Sequence, residues 1–256
     1  MNRIDLNCDL GESFGAYTIG LDEAVIPHVS SVNVACGWHG GDPLVMEKTV
    51  ALARQFGVAV GAHPGFPDLM GFGRREIKAS PDEVYAYVKY QLGALSGFTR
   101  SQGVEIQHMK AHGALYNMAG KDLALAKALC RAVHDFDSQM IVLALAGSKM
   151  EEACRELSVP CAREFFADRA YGPDGNLVPR SQPGAVIHDT PTALDRVIQM
   201  IRSGTITASD GSQLPVACDS ICVHGDNESA VNFVTAIRQR LAQEQIEVQP
   251  FGRFLR

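Results

Sequence analysis

Five of the eight histidines in this 256-residue chain sit at or near the ends of apolar runs, each beside other polar or charged residues. They are His39, His63, His108, His112 and His224. His39 lies in Cys36-Gly37-Trp38-His39-Gly40-Gly41-Asp42, and His63 in Gly61-Ala62-His63-Pro64-Gly65. His108, Lys110 and His112 are spaced by two, so an extended chain presents them on one face. Asp168-Arg169 and His224-Gly225-Asp226-Asn227 end two further runs. The first run alternates Asp5, Asn7 and Asp9 with Ile4, Leu6, Cys8 and Leu10, and Glu12 follows. Carboxylates, imidazoles and an ammonium are the groups that move protons and stabilise developing charge. Taken singly, each has a plainer explanation: a strand-end histidine is often only hydrogen-bonded, and the first run suits an edge strand with one wet face. Their recurrence at one end of successive strands is the pattern of a β/α-barrel site.

Such a site needs strands that deliver their ends to one place. Apolar periodicity predicts strands over Ile4–Asp9, Ser31–Cys36, Val58–Ala62, Glu105–Lys110, Met140–Ala146, Ala162–Ala167, Val216–Val223 and Ile246–Gln249. Helices alternate with several of them. Asp42-Pro43 reads as an N-cap and first helical residue, with Gly57 as the stop. Ser80-Pro81-Asp82-Glu83 is a capping box, and Thr190-Pro191 starts a helix that ends at Gly204. Residues 64–80 and Ser181–Gly184 read as loops, and residues 203–215 as loops or a small hairpin. About eight strands alternating with helices suit a closed or nearly closed β/α barrel, in a single domain spanning 1–256. In a barrel the apolar residues of the first strand face the helices, and Asp5, Asn7 and Asp9 face inward. Three polar residues there need hydrogen bonds or a solvated mouth.

Composition limits the function classes. Hydrophobic residues are 46% and charged residues 20%, which excludes a disordered chain. Twenty-three Lys and Arg against twenty-nine Asp and Glu leave −6, with no basic cluster for nucleic acid. No apolar run is long enough for a membrane span, and the N-terminus enters a strand without a leader, so a cytoplasmic location is expected. Seven cysteines without C-x-x-C spacing suit reduced thiols.

Gly11-Glu12-Ser13-Phe14-Gly15 fits the G-x-S-x-G nucleophile elbow, but Tyr17-Thr18-Ile19-Gly20 does not read as the helix the elbow requires. Glu12, near Asp9, is the better acid–base candidate. An Asp with two His from separate strand ends is a donor set for zinc or a similar divalent ion, although no H-E-x-x-H spacing marks one. There is no P-loop and no dinucleotide fingerprint.

Read in order, these clusters resemble the LamB/YcsF family. The matching segments are Asp5–Glu12, Ala35–Pro43, Gly61–Asp68, Lys110–Asn117, Phe166–Tyr171 with Leu177–Arg180, and Cys222–Asn227. Ala111 replaces a usual Pro and Gly40 a common Ala, and neither change removes a reactive group.

The resemblance implies a distorted, TIM-like barrel of about seven strands, of the glycoside hydrolase and deacetylase type. It also implies ATP-dependent hydrolysis of the lactam 5-oxo-L-proline to L-glutamate, as the A subunit working with 5-oxoprolinase B and C subunits. ATP would be handled by those partners or by a site other than a P-loop. The implied catalytic residues are Asp9, Glu12, His39, His63, Lys110, His112, Asp168 and His224. The implied substrate-binding residues are Asn7, Asn33, Arg169, Arg180, Asp226 and Asn227. Asp9, Glu12 or His39 would be the base for water. Lys110, His112 or Arg169 would face the developing negative charge, and Arg169 or Arg180 would hold the substrate carboxylate as a bidentate fork. The rival readings are a metal-dependent deacetylase or amidohydrolase acting alone and a non-catalytic substrate-binding subunit.

Overall fold

A computed structural model describes residues 3–179, 181–187, 189–223 and 228–255. The strands are β1 (Arg3–Leu10), β2 (Ser31–Ala35), β3 (Ala59–His63), β4 (Ile106–Met109), β5 (Ile141–Leu145), β6 (Cys161–Phe166), β7 (Thr205–Thr207), β8 (Gln213–Pro215), β9 (Ser220–Val223) and β10 (Glu247–Val248). The helices are α1 (Asp22–Val25), α2 (Pro43–Phe56), α3 (Pro81–Ser101), α4 (Gly113–Ala119), α5 (Leu123–Phe136), α6 (Lys149–Leu157), α7 (Thr190–Ser203) and α8 (Glu228–Gln243).

Strands β1 to β6 and β9 pair in parallel, and the ring closes where Asp5–Cys8 of β1 meets Ser220–Val223 of β9. The barrel therefore has seven strands, as the family resemblance implies and one fewer than the count from periodicity. The predicted strand at residues 246–249 does not enter the ring, because β2 and β9 use β1 from Asp5 to Leu10. That leaves Arg3 and Ile4 to pair with β10. The strand predicted from Val216 begins only at Ser220, because the backbone amide of Val216 instead donates to Gly204, closing the antiparallel β7–β8 hairpin.

The helix signals act as their chemistry requires. Asp42 accepts from the amides of Leu44 and Val45, and Gly57 ends α2 at φ 66°. Ser80 and Glu83 form the reciprocal capping box of α3. Helix α7 starts at Thr190 and stops at Gly204 as expected, and Asp189 caps it by accepting from the Thr192 amide. No helix among the described residues is long and apolar enough to cross a membrane. All seven cysteines are free thiols.

Ile4, Leu6, Cys8 and Leu10 pack outward into the apolar layer between strands and helices. Asp5, Asn7 and Asp9 point inward and hydrogen-bond across the barrel to Ser220, Ser31, Asn33 and Lys110. Phe251, from a 3-10 turn near the C-terminus, packs with Ile141, Leu143 and Ala162 of the interior and plugs the lower end. Gly61 of β3 lies against the His108 ring, which passes across it to Asn33 Oδ1 at 2.7 Å. A Cβ at Gly61 would overlap the imidazole.

Asp5 is fully buried, and burial pushes its carboxyl up to about 6 although Ser30, Ser31 and Ser220 all donate to it. Its folded-state pKa lies above the unfolded value of about 4, so the native state binds the extra proton between those values. The stabilising contribution is complete below about pH 4 and is lost as pH rises to about 6. Urea unfolding of the wild type and Asp5→Asn should show their stability difference shifting against the wild type by up to about 3 kcal/mol across that window. A pH-independent difference would contradict the assignment.

Candidate functional site at the barrel mouth

The inward groups form layers. Lowest lie Asp5 with its three serines. Above them Asn7 Oδ1 accepts from Asn33 Nδ2 at 2.8 Å, and Asn33 Oδ1 receives His108 Nε2. Burial and the neighbouring Lys110 push His108 down to about 3, so its ring is neutral and its Nε2–H donates. Next comes Lys110, 2% exposed, with its ammonium 2.7 Å from Glu164 Oε1 and 3.1 Å from Asp9 Oδ1. Burial alone would pull this ammonium down, but the attraction of Asp9, with Cys222 and Glu164, holds it well above its ordinary value. Tyr116 of α4 donates to Glu164 Oε2 at 2.6 Å, and burial together with Glu164 pushes the phenol well up. Lys110 and Tyr116 are thus both protonated at neutral pH and both face Glu164.

Above Lys110 three imidazoles meet Glu12. His39 and His112 are stacked with ring centroids 3.6 Å apart, and His63 stands edge-on to both. Glu12 Oε1 lies 3.4 Å from His39 Nε2 and 3.6 Å from His112 Nδ1, and Asp9 Oδ2 lies 3.3 Å from His63 Nε2. Burial, then the nearby histidines, lowers His39 well below its ordinary value and His112 to about 3, so both are neutral.

The loops that hold these rings are locally determined. The turn after β2 presses against residues 11–12, where Gly41 adopts φ 78° with its Cα close to the Gly11 carbonyl. The 64–80 loop brings the Phe72 carbonyl to His112 Nε2 at 2.8 Å, with Phe72 at φ 53°, an unusual backbone for a bulky residue.

Asp9, Glu12, His63, Lys110, His112 and Arg169 line a cavity of about 400 Å³ at the C-terminal ends of the strands, together with Arg74, Lys121 and Phe166. His39 backs His112 from behind. Asn7 and Asn33, expected as substrate ligands, are fully buried beneath the floor and instead orient Asp9 and Lys110. Asp168 is half-buried in the loop after β6 and does not line the cavity. Arg169 lines it, and its guanidinium donates to the carbonyls of Ala185 and Val178, which commits two of its donors to bracing the 169–186 loop. His224, Arg180, Asp226 and Asn227 lie outside the described residues. Ser13 is no nucleophile elbow: its hydroxyl exchanges hydrogen bonds with the Ile19 backbone, and no helix follows it.

Sequence reasoning missed Glu164, Tyr116 and Arg74. Glu164 had one signal, an acidic residue within an apolar strand, obscured by Arg163 beside it. A larger hollow of about 930 Å³ lies between α6 and the β7–β8 hairpin. There Arg163 is engaged by Asp219 and Lys149 by Glu152.

The fold and this cluster define a parallel β/α-barrel protein with its reactive groups at the C-terminal mouth. The chain belongs to the LamB/YcsF family, whose sequence profile matches residues 4–256. It is 55% identical over 250 residues to the A subunit of 5-oxoprolinase from Clostridium beijerinckii, covering 98% of each chain. It is 54% identical to the corresponding 5-oxoprolinase protein of Pyrococcus furiosus, over 99% of this chain and all of that one. The crystal structure of a lactam utilization protein from Thermus thermophilus superposes with a TM-score of 0.92 at 45% identity, over 96% of this chain and 99% of that one.

Lys110→Met leaves Asp9 and Glu164 buried without their cation. It should lower stability by about 3–5 kcal/mol in urea unfolding. Adding Glu164→Gln should recover part of that loss, and a double variant no more stable than the single would show the pair is not coupled.

Proposed function

We propose that the chain is the lactam-opening component of an ATP-dependent 5-oxoprolinase, converting 5-oxo-L-proline and water to L-glutamate as ATP goes to ADP and phosphate. The observation that carries this reading is the full-length match to proteins named as the A subunit of 5-oxoprolinase, in a chain whose mouth holds a cavity of small-substrate size. A five-membered lactam is a resonance-stabilised amide whose opening is not strongly downhill, so coupling to ATP is chemically reasonable. This chain has no P-loop, which supports partner subunits of the B and C type handling the nucleotide.

Charge sets the orientation of the substrate. Lys110 with Asp9 and Glu164 makes a floor of net charge −1, whereas Arg74 and Lys121 sit at the rim with Glu76. A substrate carboxylate is repelled by the floor and attracted by Arg74 and Lys121, so the lactam amide points inward. There Asp9 or Glu12 takes a proton from the attacking water and passes it to the ring nitrogen as the C–N bond breaks, and Lys110 faces the carbonyl oxygen as charge develops on it. Asn7, Asn33 and Glu164 act through Asp9 and Lys110 by fixing their positions.

A second reading, a metal-dependent amidohydrolase acting alone, is favoured by the Glu12, His39, His63 and His112 cluster. Glutamate and ADP are to be assayed from 5-oxoproline and ATP with this chain, with the candidate partners, and with each omitted in turn. Turnover should require this chain and its partners together. Asp9→Asn in the reconstituted complex should lower kcat by about a hundredfold or more, while His134→Gln at the surface leaves it unchanged. Full turnover by both Asp9→Asn and His112→Gln would make the chain a scaffold, and amide hydrolysis by the chain alone would favour the second reading.

A further inference from the structure

The three imidazoles turn ring nitrogens toward one another and toward Glu12. His63 Nδ1 lies 2.8 Å from the Lys110 carbonyl, an acceptor only, so Nδ1 carries a proton and Nε2 is turned to the cluster, 3.3 Å from Asp9 Oδ2. His112 Nε2 lies 2.8 Å from the Phe72 carbonyl, which turns its Nδ1 to the same point. Those two nitrogens face each other across 3.0 Å. Neither ring nitrogen of the buried His39 has a hydrogen-bond partner among the described residues. Ring nitrogens that converge beside a carboxylate, with a third buried ring left without a partner, mark a point where a cation fits.

We propose that His63 Nε2, His112 Nδ1, His39 and Glu12 Oε1 form a binding site for one divalent transition-metal ion of the zinc class. The four donors lie within 4.8 Å of one another. Tetrahedral zinc, with bonds of about 2.0–2.1 Å, needs its donors about 3.3 Å apart. The His63–His112, Glu12–His39 and Glu12–His112 separations are 3.0, 3.4 and 3.6 Å. Three imidazoles and one carboxylate suit zinc, cobalt or iron and not magnesium or calcium, which take oxygen donors. The outer shell fits as well. Metal-bound histidines usually donate their other N–H to a carbonyl or carboxylate, as His63 and His112 do to Lys110 and Phe72. The parallel stack of His39 on His112 keeps their lone pairs in planes 3.6 Å apart, so His39 must tilt as it ligates. Such an ion, when bound, supplies Lewis acidity and lowers the pKa of a bound water. The site stands on this geometry and does not depend on ATP coupling or on the identity of the amide.

The full chain, stripped with a chelator, is to be titrated with cobalt(II) and with zinc against a chromophoric competitor. We expect one equivalent of tight binding, with the visible bands of four- or five-coordinate cobalt and no thiolate charge-transfer band in the near ultraviolet. His63→Gln and Glu12→Gln should each weaken zinc binding by at least about a hundredfold, and His134→Gln should not. The cobalt spectrum of the unaltered chain stands even if a variant fails to fold. Absence of stoichiometric uptake would overturn the proposal and leave a shared proton between His63 and His112. So would a thiolate band, which places the metal on the free cysteines, or binding that survives both substitutions.

Discussion

The Lys110 ammonium, held between Asp9 and Glu164 across the barrel interior, is the interaction on which the rest of the mouth depends. Three charges in a largely buried setting are tolerated only when paired and hydrogen-bonded, because desolvating each costs several kcal/mol. The surrounding residues meet that demand. Asn7 and Asn33 fix Asp9 and Lys110, His108 fixes Asn33, and Tyr116 satisfies the second oxygen of Glu164. The polar interior, unusual for a barrel core filled elsewhere by Val, Ile and Leu, is one connected support for a few groups that reach the cavity.

The support also explains why the rim is specific. Lys110 serves twice: its ammonium anchors the floor, and its backbone carbonyl sets the tautomer of His63. His112 is held from the opposite side by the Phe72 carbonyl, at a backbone angle that a phenylalanine adopts only when its surroundings impose it. Floor and rim therefore meet at one residue.

Much of this was legible from local pattern. The capping box at Ser80, the Asp42-Pro43 start and the alternation in β1 all read directly, because caps and strand parity are decided within a few residues. Depth was not legible. Asn7 and Asp9 have the same parity and similar chemistry, yet one is sealed and the other faces the cavity, because β1 continues past the floor by that single step. Glu164 could not be placed by parity, since Arg163 beside it breaks the alternation. Its inward position follows from the register of β6 against β9, where it sits opposite Ser220. Arg169 looked like a substrate fork because nothing local shows that the carbonyls of Ala185 and Val178 would come to it.

By itself the sequence determined the parallel barrel class, the end of the strands where chemistry collects, and the family. Each is written in short-range periodicity or in contiguous motifs. Tertiary structure decided how many strands close the ring, which polar residues are sealed as supports, and which imidazoles share one point in space. Those outcomes depend on strand stagger and on loops meeting across the barrel. Residues as far apart as Glu12 and His112 come within 3.6 Å only after the ring has closed.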